Sequence, residues 1–207
     1  MILNYCYIII IIIIILLLRS NTEYYQSNID GLKYNIITSF GSKSYNNSAN
    51  RMAEINIFII NFLRHMKVKY ILNKNDADPI KVQITQNLLE RYNPDTLKEN
   101  NPNSTLYTSY VLNKGEEIAF CLREKKSGKN KIHDINTTQF VVLHELSHIG
   151  CNYNGHGIPF WKCFKFLINE AFEAGLYIPV NYHKNPTTYC GIKITSNPFF
   201  NPILKLY

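Results

Sequence analysis

A chain of 207 residues that is 46% hydrophobic and 18% charged can bury one core of ordinary size with an appendage, which excludes a disordered polymer. Its net charge of +7 favours acidic partners such as nucleic acid or an anionic membrane surface, although the Lys and Arg residues are scattered and cluster only over residues 123–131. Five cysteines without a C-x-x-C pair read as reduced thiols rather than a disulfide framework.

In chain order, residues 1–18 form one apolar run, nearly all Ile and Leu from position 5, which reaches the lower limit for crossing a bilayer. The start carries no basic side chain, and Arg19-Ser20-Asn21 offers no small-residue cleavage pattern, so residues 1–19 read as an uncleaved transmembrane anchor. Arg19 and a basic chain follow it, and the positive-inside tendency places the remainder in the cytosol, as a single-pass membrane protein. Residues 20–47, rich in Ser, Asn and Tyr, read as a linker that adds a strand near residues 34–40. Residues 48–207 then form the domain.

Within it, residues 49–69 place Ala53, Ile57, Ile60 and Leu63 at helical spacing, with Ile55, Phe58, Ile59 and Phe62 widening the apolar face. Polar interruptions exclude a second membrane span, and His65 near the helix end reads as a surface residue. Asp78-Pro79 opens a shorter helix to about residue 92. Residues 106–112 and 116–123 alternate as strands around the turn Asn113-Lys114-Gly115, and one of them is expected to border the functional site. Asn136-Thr137-Thr138-Gln139 has the side-chain types of a capping box for the next helix.

That helix carries His144-Glu145-Leu146-Ser147-His148, the H-E-x-x-H pattern. At about 100° per residue, His144 and His148 project about 40° apart on successive turns. Two imidazoles so placed can share one Zn²⁺, with Glu145 on the same flank as general base. Phe140, Val141, Val142, Leu143, Leu146 and Ile149 bury the carrier helix, and a metal would satisfy polar groups whose burial is otherwise costly. Gly150 is placed to end the helix. The third ligand is His156, between two glycines, against the alternatives Glu170 and Glu173 on the following helix, with Cys151 as a further donor nearby. That helix runs from Pro159 to about Ala174, and Trp161 is expected to close over the site.

His144 to His148 followed by His156-Gly157-Ile158-Pro159-Phe160-Trp161 resembles the WLM and SprT-like group of minimal zinc metallopeptidases, over roughly residues 107–191. The resemblance implies an α+β, zincin-like domain, His144, His148 and His156 as zinc ligands, and Glu145 as catalytic base. The order of hairpin, helix and tail also resembles metallopeptidase-like proteins of large DNA viruses. In zincin-like peptidases a peptide substrate lies antiparallel to an edge strand beside the metal helix. A second oxyanion donor is expected from the tail, where Tyr182, His183 and Tyr189 are the candidates. The reading is thus a zinc-dependent metallopeptidase acting on protein or peptide. Two alternatives accompany it, a catalytically idle zinc-binding interaction module and a SprT-like protease acting on nucleic-acid-associated proteins.

Overall fold

The computed structural model describes residues 22–38, 42–73, 78–104, 107–124 and 131–207. Its main sheet has five strands, Thr22–Gln26 (β1), Lys33–Ile37 (β2), Leu97–Glu99 (β3), Tyr110–Leu112 (β4) and Glu117–Phe120 (β5), in the order β1-β2-β3-β5-β4. The outer pairs β1–β2 and β4–β5 are antiparallel hairpins, and the inner pairs β2–β3 and β3–β5 are parallel. Parallel neighbours need a long crossover. Between β2 and β3 it is supplied by the helices Ser42–Lys67 (α1) and Pro79–Arg91 (α2). The helices Ile135–Gly150 (α3) and Ile158–Glu173 (α4) follow, and a hairpin of Thr187–Tyr189 (β6) and Ile192–Ile194 (β7) lies in the tail.

Among the described residues the structure is α+β, with four α-helices and two sheets. The finer expectation, a zincin-like domain behind a transmembrane helix, is corrected. No described helix is long and apolar enough to cross a membrane. Residues 1–19, read as the anchor, lie outside the described residues, and no zincin fold is shown. The single-pass membrane placement and its cytosolic orientation are corrected on the same finding.

Residues 20–47, read as a linker, contribute β1, β2 and the start of α1. β2 is the strand expected near residues 34–40, whereas the short β1, Thr-Glu-Tyr-Tyr-Gln, gives little periodicity; β2 in turn is paired with β3, a partner some sixty positions away (Asn35 opposite Lys98). The early start of α1 has an electrostatic cause. Arg123, just beyond β5 and almost wholly buried, donates from its guanidinium to the Ser44 carbonyl at 2.9 Å and to the Ser48 hydroxyl. Its Nε also donates to Glu99 Oε1 at 2.9 Å, while Glu99 Oε2 accepts the Ile37 amide at 3.0 Å. One buried ion pair therefore fastens β2, β3, the chain beyond β5 and the first turns of α1. Around it, α1 buries Met52, Ala53, Ile55, Ile59, Phe62 and Met66 against the other helices and the sheet.

The cysteine reading is corrected as well. Folding brings Cys121 within 6.3 Å of Cys190 and Cys151 within 6.5 Å of Cys163 (Cα to Cα), and both pairs are disulfides. Cys6 lies outside the described residues.

Replacing Glu99 by Gln leaves the buried Arg123 charge without its carboxylate, and removing one member of a buried pair costs about 3–5 kcal/mol. Urea unfolding of Glu99→Gln is expected to show a loss of that size with an unchanged denaturant slope, whereas a loss within the range of exposed ion pairs would show that the pair does not clamp these elements.

Candidate metal centre

α3 is started by Asp134, whose Oδ1 accepts the Thr137 amide at 2.8 Å. The expected capping residue, Asn136, sits inside the helix and instead exchanges hydrogen bonds with the backbone of Ile178 (3.0 and 3.3 Å). At the other end Gly150 is the last helical residue rather than a left-handed terminator. A Cβ there would stand 3.0 Å from Ile84 and 3.1 Å from Leu88, so the glycine serves the close approach of α2.

The final carbonyls of α3, which have no partner within the helix, are met by three donors from elsewhere. Asn87 Nδ2 donates to Gly150 O at 2.7 Å, and an Arg91 guanidinium nitrogen donates to Ile149 O at 2.8 Å. Lys114 Nζ donates to His148 O (3.0 Å), Cys151 O (2.7 Å) and Tyr153 O (3.2 Å). Lys114 occupies the β4–β5 turn with φ +62°. It therefore couples the edge hairpin to the end of the histidine helix and to the loop that follows. Nothing in the spacing of the sequence singles out this lysine.

His144 and His148 stand on successive turns of α3 and His156 is returned to them by the loop. The three residues each offer a ring nitrogen within 4.8 Å of the others, and His144 Nε2 and His156 Nε2 are 3.1 Å apart. Phe160 lies against all three rings, with centroid separations of 4.9, 4.4 and 4.7 Å to His144, His148 and His156. Trp161, expected over the site, is 6.2 Å from the His156 ring and lines a separate groove with Asn197 and Pro198. One helical step turns it away from the face shared by Phe160 and Phe164.

Burial, reinforced by His148 and His156, holds His144 down to about 3, and burial with His156 and Lys114 nearby holds His148 down to about 4. Both imidazoles are thus neutral at neutral pH, the form that can offer a lone pair to a metal. Burial pushes Glu145, which is 5% exposed, up to about 8. These groups face a cleft of about 580 Å³, bordered by Tyr110 and Val111 of the edge strand β4. Lys114 is the one lysine among the described residues lining it.

Glu170 and Glu173 are not brought to the histidines. Glu170 is buried ten residues beyond Phe160 along α4, where it accepts from Lys69 Nζ (2.9 and 2.8 Å) and Tyr70 OH (2.6 Å) and meets His65 Nε2 at 3.1 Å. Lys69 also bonds Glu173 at 2.7 Å. His65, read as a surface residue, is half-buried in this cluster. Of the tail candidates, Tyr182 is buried with its ring edge-on to Phe140, and His183 is exposed in a turn. Tyr189 is linked to the cleft: its hydroxyl is 3.0 Å from Ser109 Oγ, a residue of the cleft, and burial and then the Glu145 charge raise its phenol.

A second grouping, Cys121, His133 and Cys190, also places potential metal donors within 4.8 Å. Its sulfurs are joined as a disulfide and are not thiolates. His133 Nε2, 3.2 Å from Cys190 Sγ, accepts the Cys190 amide at 3.1 Å. That grouping, with Ser109 bonded to both Tyr189 and the Cys121 amide, has no signature in residue spacing.

No family model matches the chain, and no solved structure matches it. It is 44% identical over 99 residues to an uncharacterized protein of Acanthamoeba polyphaga mimivirus, a match covering 48% of this chain and 49% of the relative. It is 41% identical over 69 residues to an uncharacterized protein of Invertebrate iridescent virus 6 (33% and 38%), and 41% identical over 71 residues to one of Invertebrate iridescent virus 3 (34% and 43%). The chain thus spans no more than about half the length of these relatives. It is similar to uncharacterized viral proteins, and among the described residues two groupings bring together side chains that could hold a metal ion, of which the trihistidine one opens on a cleft.

Proposed function

We propose that the chain is a zinc-dependent peptidase of the kind its H-E-x-x-H motif resembles, with His144, His148 and His156 holding the ion and Glu145 as general base. The observation that carries this reading is the convergence of three imidazole donors within 4.8 Å beside a buried carboxylate. The residues fit the ion. Three histidines that leave a coordination position open are a catalytic zinc set, and Phe160 holds the rings without competing as a donor. When bound, Zn²⁺ supplies Lewis acidity and lowers the pKa of water.

The remaining chemistry belongs to the chain. The open edge of β4 offers backbone groups to an extended peptide, whose scissile carbonyl then faces the histidines. Glu145 removes a proton from the attacking water and delivers it to the departing amine. A nearby cation opposes the burial that raises Glu145 and favours its carboxylate form. Among the tail residues we assign the oxyanion donor to Tyr189, whose hydroxyl meets Ser109 of the cleft.

Two substitutions test the ligand assignment. Zinc titration of His156→Ala is expected to show affinity lower by orders of magnitude. Glu170→Ala keeps zinc affinity but loses stability on the order of 1–3 kcal/mol, because the Tyr70 hydroxyl and Lys69 lose a buried partner. The reverse pattern in the two variants reassigns the third ligand.

Glu145→Gln separates an enzyme from a binding module. It should keep stoichiometric zinc by elemental analysis and lose roughly 100-fold to 10,000-fold in hydrolysis of a mixed peptide library. Chelation should abolish the wild-type activity, and re-addition of Zn²⁺ should restore it. A wild-type chain that carries zinc yet cleaves no peptide is instead a zinc-binding interaction module.

A further inference from the structure

The loop that delivers His156 is closed by a covalent bond. Cys151 caps α3 and Cys163 lies in α4, joined across 12 positions. Between them residues 152–158 are all exposed. Gly155 has φ +76° and nothing within 4 Å of where its Cβ would stand, so packing does little to hold the stretch next to His156. The polar anchors sit at the loop's first residues: Lys114 on Cys151 O and Tyr153 O, and Asn87 and Arg91 on Asn152 Oδ1 (3.2 and 3.3 Å). At its far end the chain is held by the packing of Phe160 and by the disulfide. Cys151 Sγ, being bonded to Cys163, is not a ligand in competition with His156.

We propose that Cys151 and Cys163 are positioning residues for the third histidine, their disulfide restricting the loop so that His156 meets His144 and His148, and that its reduction weakens metal binding. This rests on the reading of the three histidines as a metal site. In the reductive step a thiolate of a dithiol attacks one sulfur, and the S–S electron pair leaves on the other. The second thiol then resolves the mixed disulfide, so that the dithiol ends oxidised and Cys151 and Cys163 end as two thiols. Opening a ring of this size frees conformations equivalent to roughly 100-fold in an equilibrium constant. With packing retained at both ends, a loss of roughly 10-fold to 100-fold in zinc affinity is expected. Linkage makes the effect reciprocal: bound zinc must make this disulfide harder to reduce by the same factor.

The test uses the full chain and Zn²⁺ alone, competed against a chromophoric chelator before and after treatment with a phosphine. That reductant consumes one water per disulfide and yields phosphine oxide and two thiols, without adding a thiol ligand. Zinc affinity should fall by the stated factor in the unaltered chain and in a Cys121→Ser/Cys190→Ser chain. A Cys151→Ser/Cys163→Ser chain should bind weakly from the start and ignore the phosphine. In a dithiol redox buffer, read by alkylation and mass spectrometry, saturating Zn²⁺ should move the Cys151–Cys163 couple to a more negative potential by about 30–60 mV, tenfold being about 30 mV for two electrons, and leave Cys121–Cys190 in place. This measurement decides the matter on the unaltered chain if the serine variants do not fold. Unchanged or tighter zinc binding after reduction, or a couple indifferent to zinc, overturns the positioning role alone. A chain that binds no zinc in either state overturns the trihistidine site with it.

Discussion

The carboxyl end of α3 is the constraint from which the site follows. Its last carbonyls point at the turn that must bring His156 back, and water is largely displaced there by α2, the β4–β5 hairpin and the loop itself. Lys114, Arg91 and Asn87 converge on those oxygens, and hydrogen bonds from charged donors contribute about 1.5–3 kcal/mol each. The helix end also carries partial negative charge that favours such cations. Because the three donors come from two different elements, satisfying one helix end also sets the position of the edge strand and the start of the histidine loop. The geometry of the cleft is therefore a by-product of capping.

The histidine cluster is held by apolar contact rather than by competing hydrogen bonds. Phe160 faces three imidazoles and Phe164 a fourth contact on His144 at 5.2 Å, which leaves ring nitrogens directed at one another. Two of these histidines are kept neutral by burial and mutual repulsion. Removing the positive charge in this way prepares a site for a cation. Glu170, the rival carboxylate, lies in the C-terminal half of α4 and is saturated by Lys69, Tyr70 and His65, so α4 meets the rings with its N-terminal half and an ion cluster with its C-terminal half.

Both disulfides lie at the margins of this cleft. Cys121–Cys190 joins the chain after β5 to the β6–β7 hairpin, next to the Tyr189–Ser109 pair, and Cys151–Cys163 spans the His156 loop. The first lies among buried residues, whereas the second constrains a segment whose own packing is slight. A small sheet and four helices can in this way present a defined cleft although its walls are largely loops and a hairpin.

The pattern of residues by itself determined the local chemistry. An i, i+4 histidine pair must share a helix face, His156 stands between two glycines, and Asp78-Pro79 starts a helix because both the cap and the fixed φ of proline act within one turn. The hairpin around Asn113-Lys114-Gly115 was legible for the same reason, since positive φ at Asn113 and Lys114 is a local preference. Only the tertiary structure decided what depends on partners far along the chain. It made β1 of residues that look like a linker, because β2 is there to pair with; it buried Ser44 and Ser48, because Arg123 reaches them; it paired cysteines 69 positions apart. It also separated His156 from Glu170 and Glu173 as third donors. Helical phase fixes which face a side chain occupies, but which face meets the histidines is set by the packing of α4 against α3, and spacing along a chain carries no record of that contact.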